Sequence, residues 1–282
     1  MMDQLQADLE QYRERDGFIH LKRKYSTLFE KTNYTTELPF IINRITEYDL
    51  KAANISAMEA SGKFDPKVIA RLRDMPKEQR EVTVGLMERE DRSITKIKKR
   101  GIQHAREMLF DANKLQDIEI VSIKNDAVFV AGRRLKYTDF GSYHFIPKNV
   151  YSLFMQLDKR LEFYYDGKHK RVDVKGLGKD VTEDPDHQNG MLKFFQNVFQ
   201  YLVQDRRAQL KQYLIEFVEA YKAKELPICY YKEMNSYSIY RSNLIIGTDS
   251  YYMTEASEED LESINGIYNF TRYILPIVQT FL

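Results

Sequence analysis

The chain has 282 residues, 43% of them hydrophobic, enough for one large domain or two small ones, each with its own core. Lysine and arginine total 43 against 42 acids, a net charge of +1, so overall charge signals no polyanion partner and any nucleic-acid surface must come from uneven distribution. A single cysteine, Cys229, excludes an internal disulfide framework and a cysteine-built zinc site; with no 18-residue apolar run and no signal-peptide layout at Met1–Leu5, the expectation is a cytoplasmic chain with no membrane partner.

From the start, Leu5, Leu9 and Tyr12, then Phe18, Leu21, Tyr25 and Leu28, recur at helical spacing, which predicts one or two amphipathic helices over residues 4–32. Pro39-Phe40-Ile41-Ile42 opens the first strand, which reaches Asp49 and gives way to Ala52–Met58, too poor in β-branched residues to stay extended. A strand-to-helix switch therefore follows an acid directly. Gly62, Asp65 and Pro66 break the chain, and Pro66 suits the first turn of the next helix. Residues 67–115 read as two helices, the second from Ser93 to Leu115, leading into a strand over Ile118–Val130 that carries Asp126 in the middle of apolar sequence.

Gly132-Arg133-Arg134 reads as a turn. Leu135–Thr138, Tyr143–Ile146, Glu162–Tyr165 and Arg171–Lys175 then alternate with Gly141, Pro147, Asp166-Gly167 and Gly176, an antiparallel extension of the sheet. The polar loop Asp180–Asn189 is the expected boundary. Beyond it Leu192, Phe195, Phe199, Leu202, Leu210, Leu214, Phe217 and Tyr221 keep helical spacing, and Ser257 with Asp260 forms a capping box for a last helix. The fold class expected is α+β, with a helical segment at 1–38, an α+β domain at 39–180 and a mainly helical region at 181–282.

Asp49 and Asp126 carry the chemistry. Two strand-borne aspartates supply hard oxygen ligands for two magnesium ions, one activating a 3′ hydroxyl and one stabilising a leaving pyrophosphate, provided the strands lie side by side. The five histidines have no metal-ligand spacing, and the 20 tyrosines serve to fill a core without tryptophan or to stack on bases. Residues 92–106 hold Arg92, Lys96, Lys98, Lys99, Arg100 and Arg106 with no acid among them: a solvated helix face, or a phosphate-binding one.

The order aspartate strand, short helix, basic helix, aspartate strand resembles the palm of family A and family B nucleic-acid polymerases, over about residues 40–131. Asp49–Met58 resembles motif A of family B; Ser56 matches, while Asn54 and Ile55 stand where that motif has an aromatic residue and proline. Ile123–Val130 is similar to motif C, with Asp126 as its second acid and Lys124 in place of its first. For the fingers helix, about 62–115, Arg92, Lys96 and Gly101 match the family A spacing, whereas Lys77 and Gly85 match that of family B without its asparagine or tyrosine. The first fit is favoured by the surrounding basic run.

The resemblance implies a minimal or split polymerase without an exonuclease domain, of a viral DNA-replication setting. The helical C-terminal region sits where a family B enzyme carries its thumb. Asp49 and Asp126 are then the catalytic acids and the ligands of two magnesium ions, Arg92, Lys96, Lys99 and Asn54 meet the incoming nucleoside triphosphate, and Arg100 and Lys175 touch the nucleic acid. Asn54, smaller than the residue that excludes a ribose 2′ hydroxyl in the family, implies weak sugar discrimination. Partners are a primer-template or single strand, nucleoside triphosphates and a further polypeptide if the enzyme is split. Two alternatives stand beside template-directed nucleotidyl transfer: an inactive polymerase-like nucleic-acid-binding subunit, suggested by Lys124 and the altered motif A, and a two-metal nuclease, for which Glu47 or Asp173 would have to add a third acid.

Overall fold

The computed structural model describes residues 11–13, 19–21, 25–158, 161–175, 190–227, 230–231, 244–246, 251–253 and 269–282. The chain divides into two packed units, Met1–Glu37 with Arg44–Val150, and Leu38–Asn43 with Tyr151–Leu282. The class is α+β, with antiparallel strand pairing. Among the described residues no helix is long and apolar enough to cross a membrane.

In the first unit, Gln11–Arg13 (β1) and Ile19–Leu21 (β2) pair antiparallel, and a short 3-10 turn covers Leu28–Glu30. The helices expected over 4–32 are thus replaced, where the chain is described, by strand and turn. Spacing alone cannot decide there, because Ile19-His20-Leu21 satisfies a period of two as well as it satisfies a helix. Asn33–Thr35 (β3) and Phe40–Leu50 (β4) follow; in the second half of β4 Tyr48 and Leu50 turn to one core while Glu47 and Asp49 share the opposite face.

Four helices come next, Ala53–Ala60 (α1), Pro66–Asp74 (α2), Lys77–Glu90 (α3) and Ser93–Asn113 (α4). Three, not two, occupy the stretch after Pro66, because Pro76 lacks the amide needed to continue α2 and instead starts α3. Asp65 caps α2 by accepting from the Lys67 amide at 2.8 Å, and Asp91 accepts from the Ser93 amide at 2.8 Å where α3 gives way to α4. Small residues bring α1 close to α4: Ala53 and Ala57 pack with Ile102, Ala105, Leu109 and Phe110 over Tyr48, Leu50, Val128 and Val130. A second cluster, Ile55, Met58, Ile69, Leu72, Val84 and Ile94, ties α2 and α3 to the same pair.

The predicted strand 118–130 is a hairpin: Ile120–Lys124 (β5), the two-residue turn Asn125-Asp126, and Ala127–Ala131 (β6), with Lys124 opposite Ala127. Asn125 takes the left-handed backbone at φ 54°, which asparagine tolerates better than other side chains, so the apolar run folds back where a straight strand was expected. Asp139–Phe140 (β7) then pairs with Tyr143–Asp158 (β8), which runs straight through Pro147 where sequence suggested a turn. Strand order in this unit is β3-β5-β6-β4-β8.

In the second unit β8 continues into Leu161–Asp166 (β9) and Arg171–Lys175 (β10), paired antiparallel in that order. Leu161, Phe163 and Tyr165 face Phe194, Phe195, Val198 and Phe199 of Gly190–Val203 (α5) and Leu210, Leu214 and Phe217 of Arg207–Lys222 (α6). Tyr221, Tyr231 and Tyr273 complete that core, so these tyrosines take the space-filling role. Leu244–Ile246 (β11) pairs with Tyr251–Met253 (β12), and a π-turn at Phe270–Ile274 leads into Leu275–Phe281 (α7). The division between units falls inside β4 and β8, which leaves β9 and β10 with the C-terminal helices; the expected boundary loop 180–189 and the Ser257/Asp260 capping box lie outside the described residues.

Candidate active site

Two apolar strands deliver Asp49 and Asp126 to one end of the first unit's sheet. Asp49, the penultimate residue of β4, lies opposite Ala127 in register, and the Leu50 amide donates to the Asp126 carbonyl at 3.2 Å. Both acids therefore sit where strand order ends and side chains emerge from the core. Asp126 is a turn residue, not a mid-strand one.

The turn is anchored on every side. The Asn125 amide donates to the Thr32 carbonyl at 2.8 Å, and Arg106, buried on α4, reaches the turn from below. Its Nε donates to the Phe29 carbonyl at 2.9 Å and its Nη1 donates to the Asn125 carbonyl. Burial lowers the Arg106 guanidinium to about 10, opposed by the Asp126 charge, so it stays cationic at neutral pH. Burial also raises the Asp126 carboxyl above the usual aspartate range, and the Asp49 charge adds to the rise, while a backbone hydrogen bond, Lys148 and Arg106 oppose it.

Lys148 is the residue that sequence reasoning missed. It follows Pro147 in β8 and brings its Nζ to 3.8 Å from Asp49 Oδ2, with the lysine side chain 56% exposed and the aspartate 37%. No sequence signal marked it, because the chain around Pro147 read as a turn. Arg106 was legible only as part of a basic run; it is buried on the face of α4 that meets the Phe29 and Asn125 carbonyls.

The other predicted residues distribute as follows. Asn54 is half-buried in the first turn of α1, five residues after Asp49. Lys99 lies two turns before Arg106 on the same face of α4, about 10 Å along the axis; Lys96 and Arg92 lie about 15 Å and 21 Å from it, all three exposed. Arg100 is exposed and turned roughly 100° from Lys99, while Lys98 pairs with Glu88 at 3.0 Å. Lys77 opens α3 and stands 3.9 Å from Glu81. Lys175 belongs to the second unit, opposite Glu162 on β9.

Two carboxylates fit a single magnesium ion, which is commonly held by one or two acids with water and phosphate oxygens filling the rest. Glu47 is buried and accepts from Asn149 Nδ2 at 2.7 Å, and Asp173, in the second unit, accepts from Tyr151 at 2.8 Å and pairs with Arg171 at 2.9 Å. Lys124 lies in line with Ala127 and Asp49 across three strands, its Nζ 3.4 Å from Thr35 Oγ1. Among the described residues no group of three or more His, Cys, Asp or Glu is arranged to hold a metal. His104 packs against Tyr143, and His144 and His169 pair with Asp139 and Asp166.

No curated protein matches the sequence. The profile of a phage family, described as Bacteriophage PBS1 gene 130 protein, matches residues 24–282, in keeping with the viral setting expected from sequence. With that match covering nearly the whole chain, the protein belongs to the Bacteriophage PBS1 gene 130 protein family.

Proposed function

We propose that the chain is a palm-type, template-directed nucleotidyltransferase whose reaction centre is the Asp49–Asp126 pair. The observation that supports the reading is the cross-strand pairing itself: one acid is the penultimate residue of a central strand and the other lies in the turn of the neighbouring hairpin, with a short helix starting four residues after the first. When bound, a divalent cation would supply Lewis-acid stabilisation of the reacting phosphoryl group. Asp49 and Asp126 would hold it, and the Arg106-anchored turn keeps Asp126 from swinging away. The exposed face of α4 offers Lys99, then Lys96 and Arg92, as a basic path for a triphosphate or a nucleic-acid backbone. Asn54, at the start of α1, is the residue we assign to the sugar, with ribonucleotides competing against deoxynucleotides. The second unit then takes the thumb's role, with Lys175 as a duplex contact.

A second reading, an inactive nucleic-acid-binding subunit working with a partner polypeptide, draws on one observation: Lys124, where the motif has its other acid, hydrogen-bonds to Thr35. Primer extension separates the two. The first reading expects magnesium-dependent extension that Asp126→Asn reduces at least 100-fold while primer-template affinity is kept, an effect of the size removal of one electrostatic catalytic group produces (about 10²–10³). Binding without extension in the wild type would leave only the second reading, and neither binding nor extension would sink both.

A further inference from the structure

We propose that α3 carries a self-complementary face through which two copies of this chain associate, helix against antiparallel helix, independently of any reaction at Asp49 and Asp126. The face points away from the core that α3 serves. Val84 is buried with Ile55, Met58, Ile69, Leu72 and Ile94, whereas Val82 and Leu86 are 64% and 52% exposed. At about 100° per residue, Glu78, Val82, Gly85, Leu86 and Arg89 fall in one sector of α3, nearly opposite Val84. Glycine in a helix interior lowers stability, and no close approach within the chain calls for it here: a Cβ on Gly85 would meet nothing within 4 Å. The helix surface is therefore notched at Gly85, beside two exposed apolar side chains.

Charge selects the occupant. Glu78 and Arg89 close the two ends of the stripe, about 16 Å apart along the axis, and both are exposed. Among the described residues neither is paired with an opposite charge, while Lys77, Glu81, Glu88 and Lys98 nearby all are. Let a second copy lie antiparallel, with the two-fold axis passing between Thr83 and Val84. Glu78 of each copy then meets Arg89 of the other, and Val82 of each meets the notch at Gly85 of the other. One register satisfies both ion pairs and both apolar contacts, because positions 78 and 89 share their midpoint with 82 and 85. A parallel copy would instead set Glu78 against Glu78 and Arg89 against Arg89. The antiparallel contact uses the same patch on both copies, so it closes at two. A single pair of helices buries less than about 1,200 Å², which makes the dimer weak and reversible.

Sedimentation velocity of the full chain over a concentration series tests this, with circular dichroism as the check on each variant's fold. The wild type should pass from monomer to dimer as concentration rises, and Val82→Glu should stay monomeric. Glu78→Lys and Arg89→Glu should each weaken the dimer several-fold. The double variant Glu78→Lys/Arg89→Glu should restore it, as should an equimolar mixture of the two single variants. At about 16 Å the two positions cannot pair within one chain, so only a contact between copies gives that rescue. Gly85→Leu should raise Tm in dilute solution yet weaken the dimer, which separates loss of association from loss of fold. A wild type that stays monomeric throughout, a dimer indifferent to Val82→Glu, or no rescue in the double variant overturns the proposal.

Discussion

Replacing Arg106 by methionine tests whether the turn that carries Asp126 is held from below. The guanidinium is almost fully buried and donates to two carbonyls, those of Phe29 and Asn125. A hydrogen bond from a charged donor contributes about 1.5–3 kcal/mol, and two would contribute about 3–6. Part of that is offset by the cost of burying the cation, which is the reason burial lowers its pKa to about 10. Methionine keeps most of the stem's packing, so the net loss should be about 2–4 kcal/mol. Urea unfolding followed by circular dichroism measures it, and an unchanged m value would show that the folded state is otherwise kept. Amide exchange then localises the effect: Asn125, bonded to Thr32, and Leu50, bonded to Asp126, should lose protection before the amides of α4. A loss below about 1 kcal/mol with both amides still protected would refute the anchoring argument.

Further outcomes follow from the same geometry. Burial raises the Asp126 carboxyl in the folded state, so the folded protein holds that proton more tightly than the unfolded chain and stability falls as pH rises through the folded value. Asp126→Asn should therefore raise Tm at pH 7–8, with the gain shrinking below about pH 4, near the unfolded aspartate value; a pH-independent gain would contradict this. Asn125→Val should cost about 1–2 kcal/mol, because a β-branched residue resists the left-handed backbone at φ 54°, whereas Asn125→Gly should cost little; equal losses in a denaturant series would remove the conformational argument. Tyr48→Phe removes the buried hydroxyl that accepts from the Leu135 amide at 2.7 Å and should cost about 1–3 kcal/mol by thermal unfolding, while an unchanged Tm would mean that the amide finds another partner.

An apolar run opening at Phe40 and its break in β-branched residues located β4 and α1, and amphipathic spacing located α4, α5 and α6 with their apolar faces. Those signals are local, and the sequence carries them. The hairpin at Asn125-Asp126 was hidden because every residue from Ile120 to Ala131 except Ser122, Lys124, Asn125 and Asp126 is apolar, so composition reads as one strand while a single left-handed asparagine reverses it. Pro147 misled in the other direction: a proline marks a turn by habit, yet β8 passes through it. The Asp49–Asp126 pair was legible as one acid closing a strand and one acid inside an apolar run, and its closeness depended on β4 lying next to β6, a non-local pairing that no local pattern encodes. For the same reason Lys148 was invisible: it comes from a third strand and matters only through where that strand runs. Arg106 was visible as charge, while its burial follows from the face of α4 that meets Phe29 and the turn.

The central claim is that Asp49 and Asp126 act as one unit in phosphoryl transfer. Single-turnover extension rates for wild type, Asp49→Asn, Asp126→Asn and the double variant, at saturating magnesium, test it most directly. Groups that serve one step are strongly non-additive, so the double variant should be no slower than the slower single one, within about threefold. Two independent losses that multiply in the double variant, or extension that survives in all three, would contradict the account.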